Sequence, residues 1–383
     1  MLMIVRKSFI LTLLCLVSGL FVFADDGNTT EEFDASETIL HHVLDTHDWH
    51  ITDIPAGKDE HGKTHYIPIA LHLPWFFYSS RDGMQFVGST EGLAEKGYMA
   101  LHDHLYALKP GVTPPTDAHG HIDMDEKTLE AWEAENVDHH VSVYDLSITK
   151  ASLHMIMVGI AMMLVFSAVA RGYKRNQGKA PSGIQSFFEP IIIFIRDEVA
   201  KPYLHDKAAR FLPYLLSLFF FIWFSNLFGL TPFNSNVMGN ISVTAALAVL
   251  TFLLINFNGT KDYWIHIFNT PGVPWVLKFG IPLMPIVEII GVFTKPFALM
   301  IRLFANISAG HFMVLSLVCM IFILGKNGAQ PGGAFGIMPL SFAFTTAIFV
   351  LEMVVAIIQA YIFTLLTTVF VGMALESHDE HHH

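Results

Sequence analysis

From Ala151 onward the chain alternates long apolar runs with short polar breaks, and the breaks mark out its elements. Residues 151–170 are one apolar run, closed by Arg171, Lys174, Arg175 and Lys179. About 20 such residues in a helix cross a bilayer. Gly183 to Asp206 then mixes FFEPIIIFI with RDEVAKPYLHD around Pro190, which predicts an interfacial helix with one polar face. Phe211 to Leu230 is an aromatic apolar run that stops at Gly229, Thr231-Pro232 and the polar NSNVMGN turn. Ile241 to Asn256 returns, and NFNGTKDYW with Pro271, Pro274 and Lys278 closes it. Ile281 to Leu324 and Ile337 to Leu375 follow, separated by a Gly-rich loop with Pro331. Both exceed a perpendicular crossing, so they tilt strongly or extend beyond the bilayer. The predicted fold is an all-α polytopic membrane protein with five transmembrane crossings, an interfacial helix and a long tilted helix pair.

Composition agrees: 52% of residues are hydrophobic, 33 are Phe, and mean hydropathy is +0.47. Met1 to Ala24 carries Arg6 and Lys7, an apolar run and Val22-Phe23-Ala24 before Asp25. It reads as a cleavable signal peptide, with an uncleaved helix as the alternative. Residues 25–150 are then an exported domain of unknown fold, holding 24 Asp+Glu against 7 Lys+Arg and 13 of the 21 histidines. Such acidity excludes nucleic-acid binding. The pairs His41-His42, His102/His104, His119/His121 and His139-His140 lack the spacing of a structural zinc site. A hydrated acidic domain and a metal-binding or sensory one both remain open, and no cofactor is expected. The cations after residue 170 put that helix end in the cytoplasm, in agreement with export of the preceding domain. The predicted boundaries are 1–24, 25–150, 151–376 for the transmembrane domain, and a polar tail at 377–383. Five crossings leave the C-terminus cytoplasmic.

Within EIIGVFTKPFALMIRLFANISAGH, Glu288, Lys295 and Arg302 recur at intervals of seven. On a helix they form a stripe about 21 Å long. An arginine at membrane depth costs at least about 2.5–3.5 kcal/mol on insertion scales, so it faces protein, a partner's carboxylate or a water-filled path. Guanidinium keeps its proton, so Arg302 attracts an acid but relays nothing. The competing reading is an internal ion pair with Glu288 or Glu352. Asn306 and His311 flank Arg302, while Glu352 and Gln359, seven apart, share a face of the last segment. Antiparallel packing can bring these groups together as a hydrated half-path for protons, although each alone could be an ordinary interhelical hydrogen bond. Glu288 and Lys295 line a second half-path toward the cytoplasm, or else Lys295 snorkels and Glu288 pairs with it. Pro282, Pro285 and Pro296 predict bends, and Ala298, Ala305, Ser308, Ala309 and Gly310 permit close helix approach. Neither a phosphate loop nor an internal repeat is present.

RLFANISAGH, with KPFALM before it and QAYIFTLLTTVFVGMAL after it, resembles subunit a of the F-type ATP synthase membrane sector, over roughly residues 151–376. The resemblance implies a non-catalytic, proton-conducting stator beside a ring of c subunits, with b-type peripheral stalk subunits and the rest of the complex as partners. It implies that Arg302 is the arginine that faces the ring carboxylate and prevents short-circuiting. Asn306 and Gln359 then lie beside the ring, His311 and Glu352 form the inlet pair, Asn226 is a polar position near them, and Glu288 is the exit-side acid. Glu and His are exchanged relative to the enterobacterial pattern, as in mitochondria. The loop from Gly325 to Pro339 departs from the family pattern. A free-standing antiporter, which needs similar charges, is the rival.

Overall fold

The computed structural model describes residues 48–58, 64–101, 104–113, 126–231, 237–268, 283–325 and 331–376. The predicted signal peptide, most of the histidine pairs and the predicted polar tail lie outside them. Two compact units divide the described residues, one ending at His154 and the other beginning at Met155.

In the first unit, β1 (Asp48–Lys58) pairs antiparallel with β2 (Thr64–His72). The sheet order β4-β3-β7 joins β3 (Trp75–Ser79), β4 (Gly83–Val87) and β7 (Val143–Asp145), all antiparallel. A short hairpin, β5 (Tyr98–Leu101) with β6 (His104–Ala107), follows α1 (Thr90–Glu95), and α2 is Glu126–Asn136. Strand β3 alternates buried and exposed along its length, as a sheet with one face on a core must. Trp75, Phe77, Val87, Leu93, Tyr98 and Leu105 fill that core, with Phe77 edge-on to Tyr98 at 4.7 Å between centroids. At the β3–β4 turn, Asp82 accepts from the Tyr98 hydroxyl at 2.5 Å and from Arg81 Nε at 3.0 Å. Those bonds, the Tyr98 one first, hold the Asp82 carboxyl below the usual carboxylate range.

The second unit is helical. Helix α3 (Lys150–Arg175) ends on Lys174 and Arg175, cations that suit a helix C-terminus. Helix α4 (Ile184–Phe194) runs through a π-helical turn at Ile195–Ala200 into α5 (Lys201–Leu204). The predicted surface segment is thus one nearly continuous helix, and His205 at φ 46° breaks it. After this come α6 (Ala208–Gly229), α7 (Ile241–Asn258), α8 (Lys261–Phe268), α9 (Leu283–Gly325) and α10 (Pro331–Leu375). Five stretches among the described residues are long and apolar enough to cross a membrane, as expected. At 43 and 45 residues, α9 and α10 reach about 65 Å, twice an apolar bilayer thickness. Aromatic rings of α6 build the core: Phe220 meets Phe166 of α3 at 4.7 Å and Phe188 of α4 at 5.7 Å. Leu299, Leu303 and Ile307 of α9 and Phe363 of α10 belong to the same cluster.

Two expectations need correcting. The Gly-rich stretch from Gly325 to Pro339 is helical from Pro331 onward. Proline at a first helical position loses no bond, and Gly333 serves close approach: a Cβ there would stand 2.3 Å from the Leu324 carbonyl oxygen. Likewise Pro285 sits in the first turn of α9, where its missing N–H has no partner to lose, leaving Pro296 as the interior proline. The far end of α10 is clamped. Lys207 Nζ donates to the Leu375 carbonyl at 3.1 Å, and Thr260 donates its N–H to Ala374 (2.9 Å) and its hydroxyl to Glu376 (3.1 Å). Carbonyls that a helix end would leave orphaned are thereby satisfied.

Candidate functional site

Helices α6, α9 and α10 enclose a small cavity lined by Asn226, Leu230, Asn306, Ile307, His311, Glu352, Val355 and Ala356. Its volume, about 10 Å³, is near the room one water needs. The sequence-predicted Asn306, His311 and Glu352 do converge here, although they come from two helices. They are joined by Asn226, whose side chain is 4% exposed and whose Nδ2 and Oδ1 find no hydrogen-bond partner among the described residues. A buried amide left unsatisfied costs about 1–3 kcal/mol. Four groups able to donate or accept a proton or hold water therefore surround this cavity.

Gly310 makes the convergence geometrically possible. Glu352 lies across it so closely that a Cβ there would stand 1.8 Å from Oε1, 2.7 Å from Cδ and 3.0 Å from Cγ. Sequence reasoning named Gly310 only as one small residue among five. Its position directly before a polar His311 on a helix that packs on another polar face was the available signal.

Arg302 does not line this cavity. It is exposed on the outer face of α9, in a row with Ala298, Ala305 and Ala309, which are exposed as well. Among the described residues these alanines are left uncovered and form an open strip beside Arg302. Asn306, one turn from Arg302, is both exposed and a cavity-lining residue, and so connects the strip to the hole. Among the described residues no two of Glu288, Lys295, Arg302 and Glu352 form an ion pair, which removes the internal-pair reading of Arg302 and the Glu288–Lys295 pairing. Lys295 instead turns toward α10, with Nζ 5.4 Å from the centroid of Phe370. Glu288 lies by α8, close enough to Tyr263 to join burial in raising its phenol. Gln359 is buried on the inner side of α10 and stays outside the cavity.

A family model described as the ATP synthase A chain matches residues 153–372, more than half of the chain. The chain belongs to the subunit a family of the F-type ATP synthases. A protein called ATP synthase subunit a 2 from Chlorobaculum tepidum is 42% identical over 253 residues, covering 63% of this chain and 68% of its own. ATP synthase subunit a from Chloroherpeton thalassium is 40% identical over 251 residues, covering 63% and 70%. Residues 38–146 match a second model, described as a domain of unknown function, DUF8433. As a subunit a family member, the chain is a multi-pass membrane protein of the proton-translocating membrane sector, with the rest of the ATP synthase complex as its partners. That membership displaces the free-standing antiporter, and it makes the helices more than an anchor for a sensory domain.

Proposed function

We propose that the chain is the stator that delivers protons to, and removes them from, a rotating ring of c subunits, with Arg302 as the barrier between two offset half-channels. The observation that carries this reading is the division between an exposed Arg302, without an ion-pair partner among the described residues, on a strip of alanines, and a polar cavity that shares Asn306 with that strip. Protons enter by way of Asn226, His311 and Glu352 and reach the ring carboxylate beside Arg302. They leave past Glu288 and Lys295, while Gln359 steadies the helix face next to the ring. Arg302 holds the passing carboxylate ionised and, unable to release a proton itself, denies protons a direct route. The small residues around it let a second helical surface come close. One proton crossing 100 mV releases about 2.3 kcal/mol, so several must be accumulated per ATP, and rotation does this. A leak past Arg302 would dissipate it.

In the same reading residues 1–24 are a removed signal peptide, 25–150 lie in the periplasm, 151–376 occupy the bacterial inner membrane, and the tail 377–383 is cytoplasmic; b-type stalk subunits hold the chain against the ring. The test is proton flux in membrane vesicles carrying the whole complex, with wild type compared with Arg302→Ala. ATP-driven pumping is expected to be lost while passive flux persists or rises. Normal pumping with alanine at 302 would overturn the assignment.

A further inference from the structure

The three-stranded sheet of the first unit has an outer face unlike that of an ordinary exported domain. One face of β3 and β4 seals the core through Trp75, Phe77 and Val87. On the other face, the register sets Phe76 opposite Phe86, and Tyr78 opposite both Met84 and Tyr144. The β7 ladder continues through the Leu146 N–H, which donates to the Phe76 carbonyl at 2.9 Å and places Leu146 beside Phe76. The result is a grid of two cross-strand rows, Phe86-Phe76-Leu146 and Met84-Tyr78-Tyr144. Every member is exposed, from 39% for Phe76 to 63% for Tyr144. An antiparallel sheet with one face in water carries polar residues there. Here, in a region with 24 acids and 7 bases, not one charge falls on the grid. Contiguous apolar surface of this kind marks a contact site.

We propose that this face lies on the lipid surface, with its aromatic rings in the headgroup and acyl boundary of the leaflet that α3 enters. Covalent connection argues for that occupant. Only Leu146 to Thr149 separate the end of β7 from the start of α3, so at most about 18 Å of chain ties the sheet to a membrane-spanning helix. The exposed apolar series also continues along the chain, through Leu146 and Ile148 to Ile156, Ile160, Met163 and Leu164 of α3. Side-chain chemistry agrees: Phe and Met supply apolar depth, while Tyr78 and Tyr144, with rings 6.5 Å apart, each offer a hydroxyl to the wet side of the interface. The uncharged face suits neutral lipid regions, and the acids of the unit remain free to stay in water.

The complete complex, reconstituted in phosphatidylcholine vesicles, provides the test. A nitroxide is placed at Met84→Cys in a chain with Cys15 and Cys319 changed to Ala, and its collisions with oxygen and with a water-soluble nickel chelate are compared. Glu135→Cys on α2 is the water reference and Met163→Cys on α3 the lipid reference. The oxygen-to-nickel collision ratio at position 84 is expected to be severalfold above that at 135 and below that at 163. A ratio equal to that at 135 would show the face open to water and overturn the proposal. Suppression of both collision rates below both references would show a protein cover, another subunit or segment, and would overturn it equally.

Discussion

Gly310→Ala should uncouple the cavity from proton transport while leaving the fold intact, and the structure indicates how strongly. The new Cβ would stand 1.8 Å from Glu352 Oε1, where ordinary contact begins near 3.4 Å, so the carboxylate must withdraw by about 1.6 Å. Swinging the tip alone is insufficient, because Cδ and Cγ are also crowded, at 2.7 and 3.0 Å. The side chain must therefore leave its rotamer, at a cost of about 0.5–1.5 kcal/mol, or α9 and α10 must part, with overpacking worth about 1–3 kcal/mol. Alanine regains up to about 1 kcal/mol of helix propensity over glycine, so the helix itself is not endangered. ATP-driven acidification of vesicles, normalised to the amount of assembled complex, should fall by roughly tenfold or more, the equivalent of about 1.4 kcal/mol. Adding Glu352→Asp, which withdraws the carboxyl by one methylene, should restore part of the loss. Full pumping by Gly310→Ala, or no response to the second change, would refute the claim that Glu352 must lie across Gly310 to work.

Three further outcomes follow from particular contacts. Asn226→Leu removes a buried amide that has no partner among the described residues, so stability of the assembled complex in a thermal-inactivation assay should hold or rise while proton flux falls; unchanged flux would exclude Asn226 from the path. Gly333→Ala presses a Cβ to 2.3 Å from a backbone carbonyl that cannot rotate away, so the joined ends of α9 and α10 must separate, and proteolysis between them should accelerate; an unaltered cleavage rate would contradict the close approach. Asp82 is held below the ordinary carboxylate range when folded, so its contribution is complete above that range and drains as pH falls through the folded value. Hydrogen exchange on the full chain should therefore show Asp82→Asn loosening the β3–β4 turn at neutral pH, with the gap to wild type closing in acid.

Hydropathy is a local property of the chain, and the five crossings were legible in it because a bilayer demands about 20 apolar residues whatever those residues later touch. The spacing of seven that aligned Glu288, Lys295 and Arg302 was equally legible, since a helix fixes relative azimuth along itself. What spacing cannot fix is the rotation of each helix against its neighbours. Packing alone turned Arg302 outward with its alanines, gathered Asn306, His311 and Glu352 around one cavity, and left Gln359 buried but outside it. Asn226 had no signal beyond family resemblance until α6 carried it to the same hole. Gly310 mattered only once a second helix laid a carboxylate across it. The glycines after Gly325 read as a loop because glycine is a weak helix former, and the helix there rests on a close approach that no single segment encodes. The sheet of the first unit escaped notice for a related reason: with aromatic residues on both faces of β3, the apolar–polar alternation of a half-buried strand is erased, and only tertiary pairing separates the face on the core from the open one.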